Sequence, residues 1–266
     1  MTGMLLIGLL LKIAITASIV VAASVVVERS GPFIGSLIAS LPTAGGAAMI
    51  IMGFEHPPAF IAQSAVGSMV SNAACAIFAL TYAALAQRRS LPVSLGGAFL
   101  VWFGCAAASR LMDWNAGTAA LLNAVVFPLA ILVGRRFLAG GAVKRVQFTA
   151  ADLIWRAGVV TLCVIVVTAA SNSIGSYYSG VFAFFPVALG SFFVILHPRI
   201  GGPASASVAA HVLTPLIGLG MSLLVVHWLE RRHRLERAAV GVAAAASAGG
   251  VRRHYFSISL SFAFSI

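Results

Sequence analysis

The chain has 266 residues, 61% hydrophobic and only 9% charged, with 17 Lys and Arg against 6 Asp and Glu, and its mean hydropathy is +1.04. Soluble domains carry about 25% charged residues, so a water-soluble globule is excluded and a chain built for lipid is implied. The net charge of +11 falls in clusters between apolar runs, the pattern of topology determinants and headgroup contacts rather than of a nucleic-acid face.

Eight runs are apolar and close to the roughly 20 residues that a span needs: 4–27, 33–53, 59–86, 91–109, 117–134, 153–171, 177–197 and 204–229. The first lacks the basic start and the short core of a secretory signal and is interrupted by Lys12, so it reads as a retained membrane helix. Turn and charge signals separate the runs, among them "ERSGP", "FEHPP", "QRRSLP" and "HPRIGGP". Only the stretch from 135 to 152 is long and polar enough to link two units.

The phrase "FIGSLIASLP" at 33–42 has an echo in "YYSGVFAFFP" at 177–186. Pro186 minus Pro42 is 144, and the same offset pairs Gly31 with Gly175, Gly46 with Gly190, Phe33 with Tyr177, Lys12 with Arg156 and Arg88 with Arg232. A fixed register over several runs reads as duplication. The expected architecture is therefore all-α and integral to the membrane, with about eight transmembrane helices in two related units. The first covers 1–134, a basic linker 135–152, and a second, incomplete unit 153–230. The tail 231–266 is basic and Ala/Gly-rich, and its ending "HYFSISLSFAFSI" matches nothing in the first unit. Five runs before the linker invert the second unit, whereas four would leave it parallel; both topologies are open.

A proline inside a membrane helix frees backbone carbonyls, which then need protein or a polar cavity. Paired breaks at matching positions of two repeats are the best sequence pointer to a transporter's site. Pro42 and Pro186 are such a pair, and Thr43, Gly46 and Gly190 beside them offer a hydroxyl and close backbone approach. A packing kink is the competing reading. Lys12 lies well inside its run, where a charge usually faces a cavity, and Arg156 lies near enough to an end to snorkel. His211 is a candidate buried polar partner, while His56 and His197 close the two proline-containing runs. Asn72 and Asn123 read as interhelical hydrogen-bonding residues. Cys75, Cys105 and Cys163 have no CxxC spacing and read as packing residues. No nucleophile elbow, zinc or phosphate-loop motif is present, and Asp113 and Asp152 stand apart. The chain is read as a non-enzyme, with no cofactor or metal.

Through Tyr177, Tyr178, Gly180, Phe185 and Pro186 the chain resembles the GlpM family of small bacterial inner-membrane proteins, over about 153–229. That resemblance implies four-helix units and a link to exopolysaccharide production. The chain departs from the family by its duplication and its additional fifth run. The leading expectation is a multi-pass inner-membrane transporter of a small solute. The alternative is a non-transporting scaffold or accessory subunit for envelope polysaccharide. Expected partners are membrane lipid, a small solute, and either a second copy or other membrane proteins; nucleic acid is not among them.

Overall fold

The computed structural model describes residues 43–138 and 149–248, with isolated helical positions at Leu10, Ala14 and Ser18. Among the described residues there is no strand. The helices are α1 (Thr43–Glu55), α2 (Pro58–Ala86), α3 (Leu91–Ala108), α4 (Ala116–Gly134), α5 (Ala150–Ala183), α6 (Val187–Ile200) and α7 (Gly202–Ala248), with 3-10 turns at Ser109–Leu111 and Arg135–Phe137. Five stretches are long and apolar enough to cross a membrane: Pro58–Ala86, Leu91–Leu111, Ala116–Phe137, Ala150–Ile200 and Gly202–Arg232. Large apolar side chains also face outward, with Leu100 74%, Ile154 73% and Leu121 64% exposed. An exterior of this kind fits lipid rather than water.

Eight separate spans are not what the described residues contain. The run at 4–27 and the first part of 33–53 lie outside them. Runs 153–171 and 177–197 form one apolar stretch of 51 residues, far longer than a bilayer is thick at about 1.5 Å per residue. It doubles back at Gly175, whose φ of 78° and ψ of 168° suit a residue without Cβ. Ser179 Oγ, just beyond the turn, donates to the Gly175 carbonyl at 2.7 Å and to that of Ser171 at 3.3 Å. Arg199 then meets Asp152 at 2.7 Å, closing the excursion where it began. The His197–Pro198 pair, expected to end its helix, lies inside α6, which closes at Gly201 with φ 82°. The tail expected to begin at 231 instead continues α7 through the basic stretch to Ala248. Leu, Glu, Arg and Ala in that stretch are strong helix formers.

Helix α2 is the axle. Proline at its first positions fits a helix start, where no amide partner is lost. Among the crossing stretches it is the most enclosed, and it packs against α3, α4, α5 and α7. Its contacts with α7 run in opposite directions: a Cβ on Gly202 would strike the Ala86 carbonyl, Asn72 bonds Leu216, and His227 bonds Ala62. The two helices are therefore antiparallel, and "FEHPP" and "HPRIGGP", which lead into them, lie at opposite ends of the bundle. The start of α7 brings Gly202 beside Ala86 and Arg135–Phe137 against α7. Arg88, Arg89, Arg135, Arg136 and Arg199 thus gather at one end, while Arg110, Arg231 and Arg232 lie toward the other. The starts of α2 and α7, Pro58 and Gly202, lie 144 residues apart.

Candidate functional site

The chain around Phe184–Pro186 leaves the helical path. Pro186 has φ −74° and ψ 42°, the Phe185 amide bonds back to the Phe182 carbonyl at 3.0 Å, and the Val187 amide bonds the Phe185 carbonyl at 2.7 Å. Two helical segments thus end and begin inside the bundle, with polar backbone that needs partners in an apolar setting. Much of the answer comes from α2. Ser64 Oγ donates to the Ser176 carbonyl at 2.8 Å and Ser68 Oγ to that of Gly180 at 3.1 Å. Ser71 Oγ at 3.2 Å and Cys75 Sγ at 3.3 Å both donate to Phe184. Spacings of four, three and four put these side chains on one helix face. The sequence reading did not single out this Ser/Cys stripe; its signal was hydroxyls at helical spacing in an uncharged run.

Contact along the stripe is very close. A Cβ on Gly67 would strike the Tyr177 carbonyl, and one on Gly180 would strike the Ser64 carbonyl. Backbones meet this way where small residues replace side-chain packing, as in membrane helix pairs. The break is a held kink on its α2 side. The competing kink reading of Pro186 therefore accounts for that side of it.

Against the break, with α2 forming part of its wall, lies a small cavity of about 10 Å³, lined by Ala44, Asn72, Cys75, Phe184, Phe185, Pro186, Ala188, Leu189, Leu216 and Leu219. That is room for about one water. Here Ala44 of α1 meets the first turn of α6, whose leading amides have no partner within that helix. Asn72 is fully buried; its Nδ2 donates to Asn123 Oδ1 at 3.0 Å and to the Leu216 carbonyl at 2.9 Å, while its Oδ1 has no hydrogen-bond partner. Asn123 Nδ2 donates to the Met69 and Ala119 carbonyls, each at 2.8 Å. Apart from the Ala119 bond, which stays within α4, these are the interhelical bonds expected of both asparagines. Among the lining residues, Ala44 and Ala188, Asn72 and Leu216, and Cys75 and Leu219 are each 144 residues apart.

The other candidates divide. Pro42 and Lys12 lie outside the described residues; Thr43 opens α1, but its side chain lies outside them as well. Gly46 is exposed with open space around it, and it is Gly45 that abuts the Phe184 ring. The expected face was one residue off, because the helical path from Ala44 turns Gly46 outward. Gly190 is buried against the Phe99 ring, so it serves packing rather than the cavity. His211 does not reach the cavity: its Nδ1 pairs with the Ser207 carbonyl of its own helix at 2.8 Å. Arg156 does not snorkel; it is 5% exposed, with its guanidinium 5.3 Å from the Phe192 ring centre. A ring face can hold a buried cation there.

The two histidines close opposite ends of the bundle. His56 Nε2 bonds Ser171 Oγ at 2.8 Å and its ring stacks on Phe60 at 3.8 Å. His197 Nδ1 bonds the Tyr82 hydroxyl at 2.9 Å, and Tyr82 stacks on Phe193 at 4.0 Å. Among the described residues no cluster of three or more metal-type ligands forms. Compared with family models, with curated proteins and with solved structures, the chain matches none.

Proposed function

We propose that the chain is a small-solute transporter of the cell membrane built from two inverted repeats, with its site at the crossing of α2 and α7. One observation carries this reading: matching positions of the two halves line one cavity on two antiparallel helices, beside a broken helix. Inverted repeats with broken helices meeting at mid-membrane are the architecture of many secondary transporters. In this reading Asn72 and the first turn of α6 contact the solute. One half rocks against the other to open the cavity to alternate sides. The arginines gathered at the Arg88–Arg199 end support a cytoplasmic position for that end under the positive-inside rule.

Cys75 tests the reading without a known substrate, because it lines the cavity and is buried in this conformation. With Cys105 and Cys163 replaced by serine, a membrane-impermeant thiol reagent is applied to sealed vesicles from each side in turn. Transport by alternating access expects modification of Cys75 from both sides. Protection from both sides, together with co-purification of a stable partner complex, would instead favour the accessory-subunit reading that the GlpM resemblance implies. Modification from one side only would sink the rocking mechanism.

A further inference from the structure

Two further cavities adjoin each other away from the crossing. One, of about 250 Å³, lies among α2, α3 and α4, and its walls include Val70, Ile77, Trp102, Cys105 and Val126. The other, of about 570 Å³, lies at the bundle end where α7 passes the starts of α2 and α4, and carries Gln63, Asn115, His227, Glu230 and Arg231. Trp114 lines both, its indole N–H fixed on the Ser109 carbonyl at 2.9 Å. A mixed polar chamber at the bundle end and an apolar chamber beside the mid-depth of α2 thus share one tryptophan as a wall. Helices α3 and α4 both pack on α2 while making little contact with each other, so the apolar chamber lies where two neighbouring spans part.

We propose that the paired chambers seat one anionic membrane lipid, its headgroup in the polar chamber and part of one acyl chain in the apolar one. The division of chemistry along a single line is what an amphiphile needs and what a small polar solute does not. An acyl chain gains little by leaving a bilayer for an apolar wall, so the apolar chamber supplies shape and the headgroup supplies preference. The charge that sets this preference is Arg231, exposed at the rim with its guanidinium 5.8 Å from the Trp228 ring centre. Glu230 opposes it, and His227 is turned inward, its Nδ1 pairing with the Ala62 carbonyl at 2.7 Å. A planar guanidinium on a tryptophan at headgroup depth suits a phosphodiester, which it can bind by two parallel hydrogen bonds.

The test reconstitutes the full chain with Trp155→Phe, so that Trp102, Trp114 and Trp228 at the chambers are the fluorophores left. Vesicles of phosphatidylcholine carry a minor fraction of either phosphatidylglycerol or phosphatidylcholine brominated along the acyl chain, which quenches tryptophan on contact. Brominated phosphatidylglycerol is expected to quench more strongly at equal fraction. Arg231→Gln is expected to lower its relative affinity by about fivefold, one basic side chain's worth at a membrane surface. Glycerol phosphate in the buffer should not relieve the quenching, since the seat requires the chain. Equal quenching by the two lipids would overturn the proposal. So would a preference that survives Arg231→Gln, or one abolished by soluble phosphate. Because Arg231 is exposed, its replacement leaves folding out of the comparison.

Discussion

Gly180→Ala tests the tightest of the glycine contacts among the described residues. The added methyl would meet the carbonyl oxygen, carbonyl carbon and Cα of Ser64, all backbone, so no side chain can swing aside. The limb 176–183 and α2 must separate, and overpacking of this kind costs about 1–3 kcal/mol. Separation also lengthens the Ser64 and Ser68 hydrogen bonds to Ser176 and Gly180, each worth about 0.6 kcal/mol in a membrane protein. Against that, alanine gains about 0.5–1 kcal/mol over glycine in a helix. The net expectation is a loss of about 1–3 kcal/mol, read as a lower midpoint in dodecyl-sulfate unfolding of the micelle-bound protein. Gly158→Ala is the control: it lies in the other limb of α5 with open space around it, and it should be neutral or stabilising by up to about 1 kcal/mol. If Gly180→Ala unfolds with Gly158→Ala rather than well below it, the close approach is wrong.

Gly175→Ala places a side chain at φ 78° and ψ 168°; a loss of about 1–3 kcal/mol in the same unfolding assay is expected, and none would refute the reversal there. Asn72→Ala removes donors to Asn123 and Leu216 and should cost about 1–2 kcal/mol. In a double-mutant cycle Asn123→Ala should then cost less than it does alone, whereas strict additivity would show that the two amides do not act as a pair. Tyr82→Phe keeps the stack on Phe193 but loses the bond to His197; about 0.5–1.5 kcal/mol should go, while Tyr82→Ala should cost about 3–5 kcal/mol.

Helical class and the positions of α2, α3 and α4 were legible because long uncharged runs admit few structures other than helices in lipid. Pro186 was legible as a break for the same reason. The fold-back at Gly175 was not, since glycine in a membrane run is as readily a packing residue as a turn. Composition marked the proline and its neighbourhood, but the rotation of α1 that points Ala44 inward and Gly46 outward depends on where its first turn begins. The role of Asn72 was foreseen only as a hydrogen bond between helices, because its partner Leu216 contributes a backbone carbonyl, which any residue type supplies. Arg156 was misplaced because nothing near it in sequence reveals that Phe192 offers a ring.

The bonds from α2 to the return limb have a mechanical corollary. Ser64, Ser68, Ser71 and Cys75 grip carbonyls from Ser176 to Phe184 along the length of that limb, which has a bend at each end, at Gly175 and at Phe184–Pro186. A segment clamped along its flank and hinged at both ends travels with whatever clamps it. The limb, although encoded after the linker, therefore belongs mechanically to the half encoded before it. Any swing of one half past the other, as the transport proposal requires, would have to be absorbed at those two bends.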